Sequence, residues 1–181
     1  VAPPLNGSVR AGAPGAGRAS PAGAGAGARR PDGDERGVAK LAVVNEVFQA
    51  LDQWAPFETQ MDFDNAGFLV GRGDRQVKRI LVALDITLEV VREAVEAGCQ
   101  LIVSHHPVIF HPVRTITDGD PTGRILLELI EGEVAALCAH TNLDAAQGGV
   151  NDCLARALGL TQTEQLHQDG VDREGRPYGI G

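Results

Sequence analysis

Cysteine is scarce in this chain of 181 residues: Cys99, Cys138 and Cys153, widely spaced and with no CxxC pair. An odd count of separated thiols and an N-terminus without the apolar core of a signal peptide point to a reducing, cytoplasmic setting. Each cysteine has apolar neighbours in sequence, so core filling is the expected role of all three. Long apolar runs are absent too: none approaches the roughly 18 residues that a bilayer-spanning helix needs. Positive charge is short, with 16 Lys and Arg against 24 acidic residues and a net charge of −8. Residues 1–38 hold five Arg against three acids, so 39–181 carry −10. A folded part that acidic argues against a duplex-DNA or RNA binder, which needs a basic face.

Glycine and proline are plentiful but unevenly placed. Residues 1–38 contain 9 of the 23 Gly, 5 of the 10 Pro and 9 Ala. Such a stretch buries too little apolar surface to offset the entropy of ordering it, so 1–38 reads as a disordered leader. The chain opens at Val1 and its only Met is Met61, so either the start codon is non-standard or this is a piece of a longer frame.

Order is expected from about residue 39. Val44, Val47, Phe48 and Leu51 form one apolar helix stripe, stopped by Pro56. The stretch 57–76 reads as loop, with Asp64-Asn65, Gly67, Gly71 and Gly73 as turn signals. Residues 79–84 (RILVAL) have strand character. Thr87 is a candidate cap for a helix over 88–97, and Gly98 its stop. Residues 100–103 (QLIV) make a second strand, 123–131 a helix and 133–139 (EVAALCA) a third strand. Asn151 is a candidate cap for a last helix ending near Gly159. Alternating strands and helices predict an α/β fold with a mostly parallel sheet and flanking helices. The metal-binding lobe would span 39–160. Residues 161–181 carry turn signals and would begin a following segment that is cut short.

In open parallel sheets ligands bind beyond the carboxyl ends of the strands. The first strand ends at Asp85, the second at Ser104-His105-His106-Pro107, the third at His140-Thr-Asn-Leu-Asp144. Placed where the strand breaks, both rings of His105-His106 can turn toward one crevice. Imidazoles with a carboxylate such as Asp144 suit Zn, Mn or Fe. Adjacent histidines suit two neighbouring ions, which when roughly 3.5–4 Å apart can hold a bridging hydroxide. His140 could be a ligand or an outer partner orienting one. Asp85 could serve the site or help to cap the following helix, and His111 and His167 read as ordinary loop residues. Gly148-Gly149 could approach an anion or simply make a turn. No nucleophile motif surrounds Ser104 or any cysteine.

Taken in order, Asp64-Asn65-x-Gly67, the strand before Asp85-Ile-Thr87, Ser104-His-His-Pro107, His140-Thr-Asn-Leu-Asp144 and Gly148-Gly149-x-Asn151-Asp152 resemble the Nif-three-like family, also known as GTP cyclohydrolase I type 2. The resemblance covers about residues 39–181. It implies the first lobe of a two-lobed α/β protein with a dinuclear divalent-metal site, assembling as a hexamer. By position, His105, His106 and Asp144 match metal ligands, and His140 and Asp85 match positions near the site. The implied activity is metal-dependent hydrolysis of GTP or another nucleotide-like small molecule; the alternative is a non-enzymatic metal-binding scaffold with protein partners. Phe63 stands where the family usually has Trp. The family completes its site with a His and a Glu four residues apart in the second lobe, and this chain has no such pair: Val171 follows His167 at that spacing. An unfinished ligand shell binds metal weakly, so the chain alone is expected to be inactive.

Overall fold

The computed structural model describes residues 41–179. The leader expected over 1–38 lies outside the described residues. Helix α1 (Val44–Trp54) carries the apolar stripe read from the sequence, and Glu46 reaches back to the Val43 N–H at 2.9 Å to close its first turn. A short 3-10 helix follows at Phe57–Thr59, and then strand β1 (Gly67–Val70). Both lie in the stretch expected to be loop. The correction has a physical cause: β1 is only four residues long, sits among glycines, and is defined by antiparallel pairing with a strand about seventy residues later.

The rest alternates as expected: β2 (Ile80–Ala83), α2 (Leu88–Glu96), β3 (Leu101–Ser104), α3 (Pro121–Glu131), β4 (Ala135–Cys138). Thr87 caps α2 by accepting from the Val90 N–H at 3.3 Å, and Gly98 ends it with φ +67°. Helix α3 begins two residues earlier than expected, because Asp120 caps the Gly123 N–H at 2.8 Å and Pro121 occupies the first turn. The sheet order is β1-β4-β3-β2, with β2, β3 and β4 parallel and β1 antiparallel at one edge. The mostly parallel sheet is therefore as the sequence predicts.

Alternation along the central strands divides the core in two. Ile102 and Ala136 face one side with Val91 and Ala94 of α2 and Leu126 and Leu129 of α3. Leu101, Ala135 and Leu137 face the other with Val44 of α1 and Val77. Edge strand β2 is half covered: Ile80, Val82 and Leu84 are exposed on alternate positions. Gly71, just after β1, has φ +113° and lies so close to Ala135 that a Cβ would stand 2.8 Å from its Cα.

Two further helices follow β4: α4 (Thr141–Ala145), which begins at the His140 motif, and α5 (Val150–Ala157). Gly149, not Asn151, occupies the cap position of α5; its backbone is pressed against the Leu143 carbonyl. Asn151 instead donates from Nδ2 to the Asp144 carbonyl at 3.1 Å. The Gly148 N–H is taken by the Asp152 carboxylate at 2.6 Å, so this glycine pair makes a turn. Residues 170–178 form a hairpin, β5 (Gly170–Val171) with β6 (Pro177–Tyr178). Arg173 in its turn holds the Asp52 carboxylate of α1 at 2.7 Å. No helix among the described residues is long and apolar enough to cross a membrane.

The cysteines separate. Cys99 and Cys138 are buried, but Cys153 is exposed, because α5 buries none of its residues. Burial, with the Asp64 charge nearby, pushes the Cys138 thiol up to about 12, and it donates to the His105 carbonyl at 3.0 Å. Native protein treated with a maleimide is therefore expected to take up one label, at Cys153, and all three only in denaturant. Mass spectrometry of labelled peptides checks this; fast native labelling of Cys138 would contradict it.

Candidate metal centre

Parallel strands β2, β3 and β4 end on the same side of the sheet, and the residues just past each strand gather there. The sequence after β3 is Ser104-His105-His106-Pro107. The His105 and His106 N–H groups still pair with the carbonyls of Ala83, the last residue of β2, and of Leu84 just after it, at 3.2 and 2.9 Å. The strand breaks directly afterward, and the Ser104 hydroxyl donates to the His106 carbonyl at 2.8 Å to fix the break. Both rings leave on the same side, with centroids 5.1 Å apart and planes tilted by 49°. His140, after β4, brings a third ring to 5.0 Å from His105 and 5.6 Å from His106. One ring nitrogen from each of the three lies within 4.8 Å of the others.

The outer nitrogens decide what this cluster can do. His105 Nδ1 donates to the Ala139 carbonyl at 3.1 Å, His106 Nδ1 to Asp85 Oδ1 at 2.7 Å, and His140 Nδ1 to Asp64 Oδ1 at 2.9 Å. A carbonyl or an ionised carboxylate only accepts, so each Nδ1 carries a hydrogen, and in the neutral ring the lone pair is then on Nε2. Three imidazoles with their rings fixed from behind at Nδ1 form the arrangement that metal-ligating histidines adopt. Asp144, on the first turn of α4, puts Oδ1 3.8 Å from His105 Nε2 and adds a carboxylate. The donor set of imidazole and carboxylate fits Zn, Mn or Fe.

The cluster is partly enclosed. The His105 and His140 side chains are 21% and 18% exposed, whereas His106 is 45% exposed and marks the open side. A cavity of about 440 Å³ lies there, lined by Asp85, Thr87, Glu89, His106, Pro107 and Arg124 among others. The Arg124 guanidinium has no carboxylate partner among the described residues.

The residue that sequence reasoning leaves out of the site is Asp64, read there as a turn signal and as part of a family motif but given no role. Its side chain is fully buried, and it belongs to the cluster because β1 runs antiparallel to β4. The residues preceding β1 therefore lie at the sheet end where β4 finishes. Burial works to raise this carboxyl, but donors from the Thr141 hydroxyl, the His140 ring and the Asn65 and Thr141 N–H groups hold it below the ordinary carboxylate range. The signal that could have found it is the apolar run Gly67-Phe-Leu-Val70, of strand length and close after Asp64-Asn65.

The profile of the Duf34/NIF3 family (NGG1p interacting factor 3) matches residues 42–181. The chain belongs to the DUF34/NIF3 family. It is 41% identical over 127 residues to a GTP cyclohydrolase 1 type 2 homolog of Halalkalibacterium halodurans, covering 70% of this chain and 34% of that protein. A homolog of the same description from Streptomyces coelicolor is 41% identical over 133 residues, covering 74% and 47%. Among solved structures, a Bacillus cereus protein related to NIF3 superposes with a TM-score of 0.69 at 39% identity, covering 72% and 36%. Reduced HcgD from Methanocaldococcus jannaschii gives 0.65 at 31%, covering 71% and 52%. The chain thus spans about a third to a half of the length of these DUF34/NIF3 relatives.

Against that family background, the structure brings His105, His106 and His140 together and sets Asp144 beside them. Asp85 stands behind His106 and leaves the capping of α2 to Thr87. His111 lies outside the cluster, edge-on to Phe110, and His167 pairs with Asp169 in the C-terminal segment. Phe63 is 66% exposed.

Proposed function

We propose that this chain is the metal-binding lobe of a divalent-metal-dependent hydrolase acting on GTP or another nucleotide-like small molecule. The observation that carries the reading is the set of three imidazoles whose Nδ1 atoms are all occupied from behind and which each bring a ring nitrogen within 4.8 Å of the others at one end of the sheet. His105, His106, His140 and Asp144 would hold the metal, as one ion or as the pair the resemblance implies. Bound there, divalent metal supplies Lewis acidity and a water of lowered pKa. The chain's own contribution is orientation. Asp85, Asp64 and the Ala139 carbonyl lock the three rings, and the exposed edge of His106 leaves a way in from the neighbouring cavity. On the wall of that cavity Arg124 offers an uncommitted cation to an anionic group of the substrate. The names of the relatives, GTP cyclohydrolase 1 type 2 homologs, support a nucleotide as substrate. A hexameric assembly and a cytoplasmic setting belong to the same proposal.

The family description as an interacting factor supports a second reading, a metal-bearing protein that binds partners without turnover. One assay separates them. A chain of full family length carrying this lobe is loaded with Zn, Mn or Fe and offered GTP, other nucleotides and a phosphodiester. Turnover that disappears in His106→Ala supports the enzyme. Identical background rates in both proteins sink it.

A further inference from the structure

We propose that Asp64 and Asn65 act as a clamp that sets the geometry of the histidine cluster, with Asp64 the positioning residue for His140. The inference rests on reading the cluster as a metal site. The two residues occupy one turn, before β1, and each grips a different histidine-bearing loop. Asp64 Oδ1 accepts from His140 Nδ1 at 2.9 Å and from the Asn65 N–H at 2.7 Å. Oδ2 accepts from the Thr141 N–H at 3.1 Å and from the Thr141 hydroxyl. Four donors on one fully buried carboxylate leave it little freedom to turn. Asn65 points the other way: its Nδ2 donates to the Ile109 carbonyl at 2.6 Å, in the loop that begins with His105-His106.

The consequence is specific to His140. With an acceptor at Nδ1, this imidazole must carry its hydrogen there and present Nε2 to its neighbours. Without Asp64 the ring can rotate or take the other tautomer, and the third lone pair is lost from the cluster. A bland alternative exists, because Asp64 also accepts from the first N–H of α4 and could serve only to hold that helix start. The two roles differ in what each substitution moves.

The test combines nitrogen-detected NMR of the histidine rings with zinc titration. The metal-free 181-residue chain, held above the ordinary histidine pKa, is expected to show His140 as the Nδ1–H tautomer. Asp64→Asn is expected to shift His140 toward Nε2–H and to weaken zinc binding roughly 10- to 100-fold, the usual cost of losing an outer partner. Thr141→Val removes a donor to the same carboxylate but leaves the His140 contact, so its tautomer and its zinc affinity are expected to stay near wild type. Asn65→Ala is expected to weaken zinc with the His140 tautomer unchanged. Equal zinc losses in Asp64→Asn and Thr141→Val, with an unmoved tautomer, would overturn the positioning role and leave the helix-start role. Nε2–H at His140 in the wild-type chain would overturn it even if Asp64→Asn does not fold. Wild-type chain that shows Nδ1–H, while neither it nor a chain of full family length carrying this lobe binds zinc, would refute the metal reading and leave the positioning of His140 standing.

Discussion

Replacing His105 with Ala is expected to cost more zinc affinity than any other single change in the cluster. His105 is the central member: its ring lies 5.1 Å from that of His106 and 5.0 Å from that of His140, while those two are 5.6 Å apart. It is also the ring nearest Asp144, at 3.8 Å. Its loss removes one lone pair outright and separates the remaining histidines from the carboxylate. The drop should therefore exceed the roughly 10- to 100-fold expected when only an outer partner is lost. Asp85→Asn supplies the comparison, since it leaves all three rings in place and loosens only His106. Titration of both variants and the wild-type chain with zinc, against a chelator of known affinity, gives the order. Wild-type affinity in His105→Ala would mean that the ring cluster does not hold the metal.

How far the sequence announced this arrangement depended on the range of each interaction. Strands β2, β3 and β4 and helix α2 were legible because their signals are local: short apolar runs, Thr87 as cap and Gly98 as stop. The convergence of the histidines was legible in outline, because parallel strands finish on one side of a sheet and three of them finish in ligand-type residues. What stayed hidden depended on distant partners. Strand β1 exists through its pairing with β4, and Asp64 reaches His140 across 76 positions. The five-residue α4 is too short for a periodic pattern to reveal it. Cys153 misled for a related reason: apolar neighbours in sequence mark a buried site only when the helix itself packs, and α5 buries nothing.

Asn142 tests whether the frame and the site can be separated. It follows His140-Thr141 in a stretch rich in chemistry, yet its position is structural: the residue is wholly buried. Its Oδ1 accepts from the His140 N–H at 2.9 Å, and its Nδ2 donates to the Ala55 carbonyl, at the end of α1, at 2.8 Å. One side chain thus joins the start of α4 to the C-terminal end of α1. Asn142→Ala would leave a part-buried N–H and a buried carbonyl without partners, each costing about 1–3 kcal/mol, so a total of roughly 2–6 kcal/mol is expected. That is a large share of the roughly 5–15 kcal/mol that stabilises an ordinary domain. Asn142→Asp should be worse: it keeps an acceptor for His140 but sets a buried charge against the Ala55 carbonyl. Urea unfolding is the measurement, with a lowered midpoint at unchanged slope as the expected result. A loss below about 0.5 kcal/mol, the range of an ordinary surface substitution, would show that these bonds do not hold the loop. Zinc affinity measured on the folded fraction should fall less than in Asp64→Asn, because the His140 ring still has its carboxylate behind it. A variant that loses stability and keeps metal, beside one that loses metal through a turned ring, would assign the two neighbours of His140 to different work: Asn142 holds the loop, and Asp64 aims the nitrogen.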